Sequence, residues 1–204
     1  MKLYGAPMPA PNPRRVRIYL AEKGIDLPET PVDLMKREHK SPEHLARNSL
    51  GQVPTLELDD GTTISETVAI CRYFEEANAD GPSLFGRSPA EKANVDMWVR
   101  RIEFRLMTPV GNFWRHAHPR TAALLTQYRD FGESNRDAYG AAQAWLDSEL
   151  DGRPFVAGDT YSMADICALS TVDFATWIGL ELDPSLTNLG AWHARVSTRP
   201  SAAA

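Results

Sequence analysis

Residues Asn48 to Phe74 read NSLGQVPTLELDDGTTISETVAICRYF, and this stretch decides the fold. Its middle, Gly51-Gln52-Val53-Pro54, runs into apolar residues at Leu56 and Leu58, then an Asp60-Gly61 turn and a short run through Ile64. Alternating apolar positions around Asp-Gly predict two strands joined by a tight hairpin. Ser65 then offers a side-chain oxygen as a helix cap, and Val68, Ile70, Cys71, Tyr73 and Phe74 supply an apolar helix side. Pro54 stands at the first residue of the first strand. A proline has no N–H for a ladder, so it is tolerated at a strand start, at an edge or with a cis bond that turns the chain. The expectation is an edge beside Pro54 that is open to a guest.

The neighbouring polar groups suit the head of an amino acid. A helix start at Ser65-Glu66-Thr67 presents unpaired N–H groups that favour a carboxylate. The Glu66 carboxylate complements an ammonium. This combination resembles the glutathione-binding segment of the cytosolic glutathione transferase family. The resemblance implies that the backbone of Val53, before Pro54, pairs with the cysteinyl part of glutathione, while Glu66 and Thr67 hold the γ-glutamyl head. It further implies that Gln52, two residues before Pro54, reaches the glycyl carboxylate. His39 and Lys40 precede the Ser41-Pro42 helix start, where one of them would reach the same carboxylate. Both also fit as solvated loop charges.

The bulk properties narrow the class. A chain of 204 residues can bury a sizeable core, and 43% hydrophobic with 24% charged residues is an ordinary globular composition. A net charge of -5 argues against a nucleic-acid partner, which wants a basic face. No apolar run reaches membrane-span length, and the N-terminus has no charged region leading into an apolar stretch. The sequence therefore predicts a cytoplasmic protein with no membrane partner. Cys71 and Cys167 fall within apolar helical patterns and read as small core residues, neither a metal site nor a disulfide framework.

Taken in order, Met1 to Tyr4 is a β-prone run, and Gly5 to Pro13 is a proline-dense loop. Asn12-Pro13 reads as a helix start with Asn12 as its cap, and the helix ends at Gly24. Leu27 to Leu34 reads as a strand, and Pro28 and Pro31 put it at an edge. Ser41-Pro42-Glu43 opens a short helix reaching Arg47. The resulting order, βαβαββα, matches a thioredoxin-like domain over residues 1–79. Residues 80–88 read as a linker, and 89–204 as an all-helical C-terminal domain, making an α+β two-domain protein. Within it, Pro89 to His118 is a long helix that Pro109 and Gly111 should kink or split. Arg120 to Leu150 is a second helix, Ser162 starts a third and Leu186 to Val196 forms the last. Ser162-Met163-Ala164-Asp165 has the form of a capping box, flanked by Tyr161 and Ile166 at staple positions. This box after Ala157-Gly158-Asp159 is again similar to the transferase family. Residues Ser201 to Ala204 read as a frayed tail.

A thiol with a pKa of about 8.5 is mostly protonated at neutral pH. Lowering it by about two units requires about 2.7 kcal/mol of preference for the thiolate, within reach of one or two hydrogen bonds and a helix N-terminus. The candidates between the first strand and first helix are Tyr4, Met8, Ala10 and Asn12. Transferases place Tyr, Ser or Cys in this region. Aligned on Arg15 to Gly24, the serine of the theta-like and zeta-like classes falls at Ala10, and the cysteine of the beta-like class at Asn12. Ala10-Pro11-Asn12 is partly similar to the Thr-Pro-Asn of the nu-like class, where the Asn amide donates to the thiolate. Asn12 is thus the catalytic candidate, a plain helix cap being its other reading; Tyr4 reads mainly as core.

A second substrate, by the same resemblance, lies between the domains against Arg105, Phe113 and Trp114 of the first long helix, with Trp177 nearby. His116 and His118 read as exposed loop. The resemblance implies a homodimeric enzyme using glutathione as cosubstrate, with no metal, and a small hydrophobic electrophile. Reduction of disulfides or hydroperoxides through two glutathiones, and ligand binding with weak catalysis, stay open as alternatives.

Overall fold

Seven elements build the first half of the chain: β1 (Lys2–Gly5), α1 (Pro11–Lys23), β2 (Glu29–Pro31), α2 (Pro42–Arg47), β3 (Thr55–Glu57), β4 (Thr63–Ser65) and α3 (Thr67–Ala77). The computed structural model describes residues 1–78 and 81–204. The strands form one sheet in the order β2-β1-β3-β4. β1 runs parallel to β2 and antiparallel to β3, which pairs antiparallel with β4. This is the thioredoxin-like arrangement expected from the sequence. Leu3 and Leu56 face each other across β1 and β3, Leu56 faces Ile64, and buried Val16, Tyr19, Ile70 and Phe74 come from α1 and α3, which pack together.

β2 is shorter than the expected Leu27 to Leu34 run. It lies at the sheet edge, bracketed by the two prolines that cannot extend the ladder. The open edge expected beside Pro54 takes a different form. β3 is an inner strand paired on both sides, and the open groups are those of Val53, just ahead of the first paired residue, Thr55.

The chain forms two compact units: Met1–Ser83 with Pro200–Ala204, and Leu84–Arg199. Ala79 and Asp80, where the domain was expected to end and the linker to begin, lie outside the described residues. The tail is not frayed. Pro200–Ala203 forms a 3-10 turn, Ala202 O accepts from Arg14 Nη2 at 2.8 Å, and buried Ser201 donates to Glu22.

The second unit is helical: α4 (Pro89–Arg101), α5 (Thr108–His116), α6 (Arg129–Glu149), α7 (Met163–Trp177) and α8 (Thr187–Ser197). Between α4 and α5 the backbone widens into a π-helical segment, Ile102–Met107. Pro109, in the first turn of α5, has no N–H for the carbonyl four residues back. The preceding turn shifts to longer pairs, so that the Thr108 N–H and Oγ1 both donate to Glu103 O. The interruption expected at Pro109 and Gly111 therefore falls one turn earlier. The second helix starts at Arg129 instead of Arg120, because residues 119–128 fold as turns. There the Gln127 amide donates to His118 O at 2.9 Å and to Thr121 Oγ1 at 3.0 Å. No helix among the described residues is long and apolar enough to cross a membrane.

The Ser162–Asp165 box forms and does more than cap α7. The fully buried Asp165 carboxylate accepts from four groups: Val156 N–H at 2.9 Å, Ser162 N–H at 2.9 Å, Ser162 Oγ at 3.2 Å and Trp192 Nε1 at 2.9 Å. Burial pushes its pKa up to about 6 against the pull of those donors, led by Val156. A carboxyl whose native pKa lies above its unfolded value stabilises most below the unfolded value, and that contribution is lost as pH rises through about 6. Relative to Asp165→Asn, which does not titrate, the wild-type stability should fall by about 2 kcal/mol between pH 4 and 7. Denaturant unfolding at several pH values measures it; an advantage that grows with pH would place the donors ahead of burial.

Candidate functional site

The strand register gathers the expected site at one end of the sheet. Tyr4 of β1 faces Thr55 of β3, and Thr55 faces Ser65 of β4. The exit of β1 toward α1, the approach to β3 through Val53-Pro54, and the exit of β4 into Glu66-Thr67 therefore share that end.

The approach to β3 is a tight turn. Asn48 O accepts Gly51 N–H at 2.7 Å and Asn48 Oδ1 accepts Leu50 N–H at 3.1 Å. Gly51 sits at φ +56, where a Cβ would come within 2.7 Å of His39 O and 2.8 Å of Lys40 Nζ. This close approach presses His39 and Lys40 against the turn. Lys40 Nζ donates to Leu50 O at 2.9 Å. The half-buried His39 keeps a buried Nδ1 without a partner among the described residues. Its pKa lies below the ordinary histidine value through burial first, then through the charge of Lys40, His44 and Arg37, so the ring is neutral at pH 7.

Gln52 holds its side chain exposed while its carbonyl is buried under donors. His44 Nε2 lies 2.8 Å from it, Asn48 Nδ2 3.1 Å and Thr55 Oγ1 3.3 Å. The next peptide bonds are trans into Val53 and cis into Pro54. Among the described residues, no backbone group hydrogen-bonds Val53.

Across β4, α3 starts at Thr67 with Glu66 as its flanking residue, and no side chain caps it. Ser65, the expected cap, closes β4 instead. Glu66 sits at φ 68 and ψ 121, a strained position for a residue with a side chain. Its carboxylate is exposed and Thr67 is buried beneath it. A helix start without a side-chain cap favours an anion, and an exposed carboxylate favours a cation.

At the start of α1, Asn12 is not the cap that the sequence suggested. Ala10 flanks the helix, Pro11 opens it, and Asn12 lies within the first turn with its Oδ1 buried and without a partner among the described residues. Tyr4 belongs to the core: its ring meets His44 edge-on at 6.5 Å and carries the Arg47 guanidinium at 4.4 Å.

In the second unit the three expected pocket residues part company. Arg105 is exposed over the Trp145 ring at 5.0 Å, and Phe113 is buried under Arg136 at 4.7 Å. Trp114 is half-buried in an aromatic group with His118 at 4.7 Å, Phe174 at 5.5 Å and Trp177 at 5.7 Å. Arg120 caps Trp177 at 4.7 Å. The two histidines are thus packed against rings, His116 against Tyr128 and Phe131, and not left in exposed loop. Burial, then Arg120, lowers the pKa of His118. No group of three or more His, Cys, Asp or Glu among the described residues is arranged to hold a metal ion.

Both units match known sequence families. Residues 10–77 fit the glutathione S-transferase N-terminal domain and residues 121–200 its C-terminal domain. Over 98% of its length the chain is 40% identical to glutathione S-transferase 2 of Saccharomyces cerevisiae, spanning 87% of that protein. The chain belongs to the glutathione S-transferase family. The crystal structure of Gtt2 from Saccharomyces cerevisiae matches this transferase with a TM-score of 0.91 at 39% identity, covering 98% of both chains. A glutathione S-transferase domain-containing protein of Marinobacter aquaeolei matches with a TM-score of 0.92 at 40% identity, covering 98% of this chain and 99% of that one.

Sequence reasoning about this transferase missed His44, Asn48 and Thr55, whose role is visible only once three elements meet at one carbonyl. Asn48, three residues before a glycine, carried a turn signal; His44, eight residues from Gln52, carried none.

The strain at Glu66 makes a test in which stability and binding move oppositely. Glu66→Gly should raise the unfolding free energy by about 1 kcal/mol through relief of the positive φ. Glutathione affinity should fall by about tenfold or more as the carboxylate is lost. Thermal unfolding and calorimetry on the same variant read both, and a parallel fall in stability and affinity would refute the assignment.

Proposed function

We propose that this transferase binds glutathione along the turn before β3 and the start of α3, and activates its thiol for attack on a small hydrophobic electrophile. The observation that carries this reading is the Val53 backbone without a described hydrogen-bond partner, placed by register beside the uncapped start of α3. In this reading the Val53 backbone pairs with the cysteinyl segment, and Glu66 with the Thr67 helix start takes the γ-glutamyl ammonium and carboxylate. Gln52 and the neutral His39 or Lys40 take the glycyl carboxylate, although the bond from Lys40 to Leu50 O must be shared or released for Lys40 to serve.

The thiol then lies toward α1, whose first turn has no side-chain cap. In this reading Asn12, whose buried Oδ1 has no hydrogen-bond partner among the described residues, donates its amide N–H to sulfur. That bond and the α1 N-terminus lower the thiol pKa, the proton leaves to solvent, and sulfur forms the new bond as the electrophile's leaving group departs. The small hydrophobic electrophile is assigned to aromatic side chains of the second unit, Trp114 first among them. Glutathione as resident cosubstrate, no metal, a cytoplasmic site, a detoxifying role and a homodimer complete the proposal, the last being the common state of soluble oligomers.

Calorimetric titration with glutathione should show binding, and the same sample should conjugate chlorodinitrobenzene faster than it reduces hydroxyethyl disulfide. Absence of binding would refute the site; reduction outpacing conjugation would make the enzyme a glutathione-dependent reductase, and binding with neither activity would make it a ligand carrier. Thiolate absorbance of the bound cosubstrate should show the pKa rising by about one unit or more in Asn12→Ala. An unchanged value would remove Asn12 from the mechanism.

A further inference from the structure

The Gln52 carbonyl receives more donors than a turn needs. His44 Nε2 approaches from α2 at 2.8 Å, Asn48 Nδ2 from the turn at 3.1 Å and Thr55 Oγ1 from β3 at 3.3 Å. A carbonyl oxygen has two lone pairs, so three donors from separate elements saturate it. Each donor is itself held. His44 is 3% exposed, its backbone N–H donates to Ser41 Oγ at 3.2 Å, and its ring lies edge-on to Tyr4. The Asn48 amide is fixed at its other end by Leu50 N–H at 3.1 Å. Thr55 is 0% exposed and paired on both sides in the sheet. Because a carbonyl only accepts, the His44 ring carries its proton on Nε2.

The Gln52–Val53 bond is planar and trans, so the Gln52 C=O and the Val53 N–H point in opposite directions. Fixing the oxygen toward His44 therefore fixes the N–H away from it. We infer that His44, assisted by Asn48 and Thr55, is a positioning residue for the Val53 N–H, holding that donor aimed at the cysteinyl carbonyl of glutathione. None of these side chains touches the cosubstrate in this account; they act through one peptide plane. The inference rests on the reading that glutathione lies along Val53.

The test is a double comparison between glutathione and an analogue whose cysteinyl carbonyl is reduced to a methylene, each titrated calorimetrically. His44→Phe keeps an aromatic ring and removes the donor. It should weaken glutathione about tenfold, the size of one aimed hydrogen bond, and leave the affinity for the analogue equal to that of wild type. His44→Gln, which returns an N–H near the same point, should recover glutathione to within about threefold of wild type. Thr55→Val preserves shape while deleting a single donor, so it carries the test should His44→Phe not fold; it should cost glutathione about threefold and the analogue nothing. Equal losses for both ligands, or no loss for either, would overturn the positioning role. Wild-type protein that fails to bind glutathione would instead overturn the site assignment beneath it, so the two failures are distinguishable.

Discussion

The ladder of the first unit stops at Thr55, and the site follows from that stop. Pro54 supplies no N–H, so the pairing that holds β3 between β1 and β4 cannot continue backward through it. A polar backbone without a partner is normally a cost to be removed, and folded proteins leave few such groups. Here the chain directs side-chain donors to Gln52 on one side of the gap and leaves Val53 on the other. The sheet thus ends in a short length of backbone that is rigid yet unsatisfied, which a peptide-like cosubstrate can complete.

Two helix starts reinforce that end. α1 and α3 both begin without a side-chain cap, although capping residues are common and each could have had one. Partial positive charge is left where carboxylate and thiolate groups of the cosubstrate would sit. Two helices of the second unit, α4 and α7, are closed instead. Ser88 and Glu91 close the start of α4, and Asp165 gathers the start of α7, the Val156 backbone and Trp192 around one buried carboxylate. An uncapped start is not by itself a ligand site, since α6 and α8 also begin without a side-chain cap.

Much of this was legible in the sequence, and what was not has physical causes. The hairpin, the Ser41 and Ser162 helix starts and the βαβαββα order were carried by turn chemistry and local apolar spacing, so residues close in sequence were enough. The residues that the resemblance assigned to glutathione come together because register fixes them: once Thr55 faces Ser65, Pro54 and Glu66 lie at the same end of the sheet. Asn12 was misread as a cap because Asn-Pro fits a helix start, whereas Pro11 opens the helix one residue earlier. Arg105, Phe113 and Trp114 were grouped by the resemblance, and the sequence did not show that Arg105 falls within the π-helical segment Ile102–Met107 while Phe113 and Trp114 lie on α5. His44 and the aromatic packing of His116 and His118 depend on segments distant in the chain, for which local pattern holds no information.

The first unit is discontinuous: residues 1–83 are completed by residues 200–204, which reach α1 through Arg14 and Glu22. Arg14 lies two residues beyond Asn12 in the opening turn of that helix. During synthesis the sheet and its helices emerge first, yet the backbone carbonyl that receives Arg14 is made only after every residue of the helical unit. Such a closure is a long-range contact of the kind that forms late in folding. Maturation of the glutathione-side unit is thereby tied to completion of a chain segment it does not otherwise contain, so a nascent or shortened chain would carry the sheet without the finished start of α1.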